Sequence, residues 1–169
     1  MVDTIRIGGI KLSGELVQID FREPGTQGGI LTRVLQQISS AKINLPHLHQ
    51  GLVRDEMQTT FCVDIQDYHR LQSILDAELG EFWFRILPSV GTVSLFPHDS
   101  SLGFVATVYA IFADEEIAVH GMSSSVSAFV LHTDYSEIDR AVTALLKIYE
   151  LPDNHSPLRS ELRMQQIER

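Results

Sequence analysis

A glycine turn followed by an amphipathic helix occurs twice in this chain, and that recurrence constrains the fold more than any other feature. Between Thr26 and Ile43 (TQGGILTRVLQQISSAKI), Gly28 and Gly29 precede Ile30, Leu31, Val34, Leu35 and Ile38, which recur at helical spacing and form one apolar stripe. Between Ser100 and Ile117 (SSLGFVATVYAIFADEEI), Gly103 precedes Phe104, Val105, Val108, Tyr109 and Phe112 in the same arrangement. One offset of about 74 residues relates Gly29 to Gly103 and also Ile43 to Ile117, the residues that open the following strands. The chain reads as one unit used twice.

Around the first helix, Glu15–Arg22 alternates cleanly, with Val17, Ile19 and Phe21 on one side and Gln18 and Asp20 on the other, as a half-buried strand does. Ile43–Leu52 reads as a second strand in which Pro46 favours an edge position or a bulge. Met57–Ile65 reads as a third, with Cys62 on the face of its polar neighbours. Asp67 is placed to cap a helix carrying Leu71, Ile74, Leu75 and Leu79 and ended by Gly80. Phe82–Leu87 closes the unit before Pro88. The order is strand, helix, strand, strand, helix, strand.

The second unit repeats this with Gly91–Phe96, the Gly103 helix, and a hairpin of Ile117–Met122 with Ala128–His132. Its last helix, capped by Asp134 or Ser136, carries Ile138, Val142, Leu145, Leu146 and Tyr149. Two prolines and several turn formers in 151–157 then rule out a fourth strand. One strand is left over at the other end of the chain, Thr4–Lys11, with Gly8 and Gly9 suggesting a bulge. An open edge leaves backbone groups unpaired, so the N-terminal strand is expected to complete the second unit's sheet. The expected boundaries are 13–88 for the first unit, 89–150 plus strand 4–11 for the second, and 151–169 for a tail.

In this order the sequence resembles tandem ACT domains, most closely the regulatory region of aspartokinases. Ile43 and Asn44 match the family's Ile-Asn pair, Gln50 falls where aspartokinases often carry glutamine, and Gly29 falls on the helix-opening glycine. In the second unit Ser123, Ser124 and Ser125 fall on the family's polar run, and Arg140, Ala141 and Val142 on its helix motif. The resemblance implies an α+β fold of two ferredoxin-like βαββαβ (ACT) units, each an antiparallel four-stranded sheet with two helices on one face. Thr26 and Gly28 replace the usual Asp and Pro, Leu102 replaces Pro in the second unit, and Ala118 and Val126 replace its polar Asn and Glu. An amino-acid site is therefore expected chiefly on the first unit.

Physical chemistry points to the same place. A helix N-terminus offers unpaired amide donors and a partial positive charge, and glycines admit a carboxylate close to the backbone. Thr26, Gln27, Gly28, Gly29 and Ile30 supply such an end; Asn44, Gln50 or backbone carbonyls of an edge strand would accept from the ligand's ammonium group, with Leu45 beside them, while Ser123, Ser124 and Ser125 join the candidates only through the resemblance. The plainer reading makes Gly28 and Gly29 a tight turn and the serines a hairpin turn. A rival reading uses His47 and His49, two apart on one strand face, as metal ligands, with His98, Asp99 and His120 as further candidates.

Composition narrows the classes. A net charge of -9 with 13 Lys and Arg argues against a nucleic-acid surface. Cys62 is the single cysteine, and no apolar run approaches the length of a membrane span, so a cytoplasmic protein without membrane association is expected. No phosphate loop or nucleophile with a base is present, so neither an enzyme nor a cofactor is expected. Met57 and Trp83 read as core or interface residues. The expected function is a non-catalytic sensor, a homodimer that binds an amino acid or similar small effector at ACT-unit interfaces and signals to a protein target the sequence does not name. The alternative is a structural or metal-binding interaction module.

Overall fold

Gly8 and Gly9 interrupt the alternation of the N-terminal apolar residues, and the chain divides there. The computed structural model describes residues 5–25, 27–80, 83–96, 102–153 and 158. In place of one bulged strand it has two, β1 (Ile5–Arg6) and β2 (Gly9–Leu12). The chain resolves into two compact units, Glu15–Val90 and the residues up to Gly14 taken with those from Gly91.

In the first unit the alternating segment becomes β3 (Leu16–Pro24), flanked by β5 (Glu56–Asp64) and by residues 84–90 of β6 (Phe84–Phe96). β4 (His47–Val53) pairs with the far side of β5, giving the antiparallel order β4-β5-β3-β6. Helices α1 (Gly29–Ser40) and α2 (Tyr68–Leu79) cover one face. Val17, Ile19 and Phe21 meet Phe61 and Val63 from β5 and Val34, Ile38, Leu71 and Leu75 from the helices. Phe21 and Phe61 pack edge to face, 6.4 Å between centroids.

The second unit uses residues 91–96 of β6, α3 (Leu102–Asp114), β7 (Gly121–Ser124), β8 (Phe129–Asp134) and α4 (Ile138–Leu145). Its fourth strand is β2, antiparallel to β6 with Ile10 opposite Leu95 and Leu12 opposite Val93. The strand order β7-β8-β6-β2 repeats that of the first unit. Ile10, Val93, Leu95, Phe104, Val108, Phe112, Phe129, Leu131 and Leu145 form a separate core. Both units are thus α+β with mostly antiparallel sheets. None of the described helices is long and apolar enough to cross a membrane.

Several local expectations are corrected. Tyr149 is not helical: α4 stops at Leu145, and Tyr149 with Glu150 forms β9, parallel to β1. From that strand its buried ring reaches the core beside Phe104, 5.4 Å away. Nor does Pro88 end a strand. β6 runs through it, because the register jumps from Gln18–Leu87 to Leu16–Val90 and leaves Pro88 and Ser89 in a bulge that asks no ladder donor of proline. Ser89 there has φ 58°. Asp67 stands at the N-cap position of α2 but makes no side-chain cap bond. A 3₁₀ turn over Ile65–Asp67 comes first, and Asp64 accepts the Gln66 amide at 2.9 Å, while Asp67 pairs with Arg70. Asp134 at the matching place makes no side-chain cap bond, and Ile43–Pro46 lies before β4 instead of within it. The predicted start of the last strand, Phe82, lies outside the described residues.

The repeat is visible even in backbone strain. Lys42 and Glu116 both have φ 53° one step before Ile43 and Ile117. The Lys42 amide donates to Ser39 and the Ile43 amide to Ile38; the Glu116 amide donates to Ala113 and the Ile117 amide to Phe112. This is the bond pattern of a helix end in which glycine normally takes the left-handed position. Lys42→Gly and Glu116→Gly are each expected to raise stability by about 0.5–1 kcal/mol, because glycine relieves the Cβ clash. A lower denaturation midpoint for either variant would refute this.

Candidate functional site

The loop that the sequence singles out for a ligand lies where β3 ends and α1 begins. Gly25 (φ 82°) bridges to Glu56, and its amide donates to Asp55 at 2.9 Å, which anchors the loop. Thr26 lies outside the described residues, and Gln27 is exposed. Gly28, at φ 62°, is the residue before the helix, and its carbonyl accepts the first helical bond, from the Thr32 amide at 3.0 Å. Only glycine takes that conformation without a penalty, which is what the turn reading of Gly28 requires.

The amides of the first helical turn are not unclaimed, contrary to the expectation from the sequence. Glu23 Oε1 accepts the Ile30 amide at 2.8 Å, and Oε2 accepts the Leu31 amide at 3.4 Å. Glu23 is buried, and its bonds run along the direction in which the helix end favours negative charge. Sequence reasoning missed this residue. Its signal was present all the same: Val17, Ile19, Phe21 and Glu23 alternate, so an acid occupies a core-facing position.

Gln50 comes to the same corner. Its Nε2 donates to the buried Thr59 hydroxyl at 3.1 Å, and a Cβ placed on Gly28 would lie 3.9 Å from both ends of the Gln50 amide. Gly28, Gly29, Ile30 and Gln50 are therefore brought together. Asn44 is exposed, and Leu45 packs against the first unit's core. Ser123 and Ser124 lie on β7 in the second unit, and Ser125 closes the hairpin: its amide donates to the Ala128 carbonyl at 2.9 Å and its Oγ accepts the Ala128 amide at 3.2 Å. Cavities occur elsewhere, one of about 200 Å³ lined by Gly8, Gly9, Ile10, Lys11 and Phe96.

The histidines are placed differently. His47 stands opposite Cys62 and His49 opposite Thr60, so both sit on the sheet face away from Phe61 and the helices. Burial, then the neighbouring His49, lowers the pKa of His47. Burial, then the Asp20 charge, pushes the Cys62 thiol up to about 12, which leaves it protonated and unreactive at neutral pH. Among the described residues no group of three or more His, Cys, Asp or Glu side chains is placed to hold a metal ion. His120 Nε2 lies 2.8 Å from Asp134 Oδ1, at the start of the 3₁₀ turn before α4. His98 and Asp99 lie outside the described residues.

No protein-family model and no curated protein sequence matches the chain. Solved structures do. The ligand-free regulatory subunit of aspartate kinase from Thermus thermophilus superposes with a TM-score of 0.73 at 19% identity, over 85% of this chain and 99% of that one. The chain resembles aspartate kinase regulatory subunits in fold. The Thermus flavus regulatory subunit gives 0.74 at 18% identity, over 84% and 97% of the two chains. Escherichia coli aspartokinase III in complex with lysine and aspartate gives 0.62 at 12% identity, over 85% of this chain and 33% of that one. The two-unit α+β architecture read from the repeat is the fold these neighbours share.

Proposed function

We propose that this chain is a non-catalytic regulatory module of the ACT type that binds an amino acid or a molecule of similar size. The observation that carries the reading is the fold match along 99% of a chain that is itself a regulatory subunit. The effector would lie against Gly28, Gly29, Asn44, Leu45 and Gln50 of the first unit, where glycines leave the backbone approachable beside an amide side chain. The module would act as a homodimer. In support, β4 ends its sheet and exposes Leu48, Leu52 and Val53, with Leu52 55% exposed. A two-fold axis through Gln50 would set Leu48 of one copy against Leu52 of the other, a self-complementary edge. Effector binding would then shift the balance between two packing arrangements through differential affinity.

The test is a thermal-shift panel of the amino acids, with lysine and aspartate first because an E. coli neighbour is bound to both. Nickel, zinc and a chelator run beside them. A ligand at 100 times its dissociation constant should stabilise by about 2.7 kcal/mol, a rise of several degrees. Sizing should give twice the 19.0 kDa chain mass. If no amino acid shifts the transition, the effector reading fails; a shift with metal alone would favour the interaction-module alternative.

A further inference from the structure

One acid of the first unit stands where the alternation of β3 calls for an apolar side chain. Glu23 follows Val17, Ile19 and Phe21 on the face beneath the helices and is only 6% exposed. A carboxylate so far from water needs dedicated partners. It has them in the Ile30 and Leu31 amides, one to each oxygen. Gly29 lies beside it, where a Cβ would make an ordinary contact of 3.7 Å with Glu23 Oε1. Close by, Thr59 is buried and holds the Gln50 amide at the rim.

We propose that Glu23 is a built-in ligand of α1: its carboxylate holds in cis the position an external carboxylate would need on the Ile30 and Leu31 amides, so in the native protein those two donors are closed to external acids. Removing the side chain opens them. An effector of the first unit, if one exists, is consequently recognised without placing a carboxylate on the Ile30 and Leu31 amides. The inference does not depend on there being an effector, because it concerns only who occupies those two donors.

The experiment compares wild type, Glu23→Ala and Glu23→Gln in melts with sodium acetate against sodium chloride at equal ionic strength, using the full chain. Glu23→Ala should lose about 5 °C of Tm. Acetate should restore part of that loss saturably in Glu23→Ala alone, since glutamine still fills the space and the wild-type site is taken. In amide spectra, Ile30 and Leu31 should shift in both variants and return toward wild type only for Glu23→Ala with acetate. Should Glu23→Ala fail to fold, Glu23→Gln decides: faster hydrogen exchange at Ile30 and Leu31 with unchanged exchange at Gln37 and Ile38 supports the proposal. An acetate response in wild type equal to that of Glu23→Ala, a Glu23→Ala that ignores acetate, or a Glu23→Gln with unaltered exchange at both amides overturns it.

Discussion

Deleting residues 1–12 is expected to strip hydrogen-exchange protection from residues 91–150 while the first unit keeps its own. The segment supplies Ile7, Ile10 and Leu12 to the second core, all buried, and β2 is the ladder partner of Val93 through Phe96. Burying three such side chains contributes roughly 5–8 kcal/mol, which rivals the whole stability of a typical domain. The loss also uncovers the β6 edge and removes the parallel partner of β9. Residues 15–90 retain Val17, Ile19, Phe21, Phe61 and the helices packed on them, none of which touches the deleted strand's ladder. Amide exchange read by mass spectrometry distinguishes the two segments. Equal protection of 91–150 before and after deletion would show that the N-terminal strands add nothing to that core.

Gly91→Ala is expected to cost about 2 kcal/mol, through overpacking and not through any change in backbone preference. A Cβ at Gly91 would overlap Ile138 Cδ1 and stand 3.1 Å from both Ile138 Cγ1 and Tyr135 Cδ2. Ile138 is fully buried at the start of α4, so it has little room to turn aside. The strand-to-helix distance here is set for hydrogen. Ile138→Val removes the overlapping methyl, so the double variant should be more stable than the sum of the single losses predicts. Urea denaturation of the four proteins measures the coupling, and strict additivity would mean that Gly91→Ala acts by some other route.

Much of the architecture was legible because periodicity is a local property. The stripes Val17-Ile19-Phe21 and Ile30-Val34-Ile38 announce which face each element buries, and the equal spacing of Gly29–Ile43 and Gly103–Ile117 announces that one design is used twice. Lys42 and Glu116, at the same step in both units, carry that equivalence down to the sign of φ. The errors fell where a partner outside the segment overrides the local pattern. Tyr149 fits a helical stripe yet becomes a strand because Ile5 and Arg6 lie alongside it. Pro88 looks like a terminator yet falls in a bulge, since the ladder with β3 skips a step there.

At the site, local sequence was enough to place a glycine-started helix after β3, its first amides without partners inside the helix, because chain geometry at Gly28 and helix-end chemistry depend on neighbouring residues alone. What meets those donors is settled by long-range packing. Glu23 precedes Ile30 by seven residues, and whether its carboxylate turns to solvent or to the helix depends on how β3 passes beneath α1. The same holds for Gln50 beside Gly28 and for the histidines on the opposite face: strand pairing, which joins residues remote in sequence, fixes the face each side chain takes.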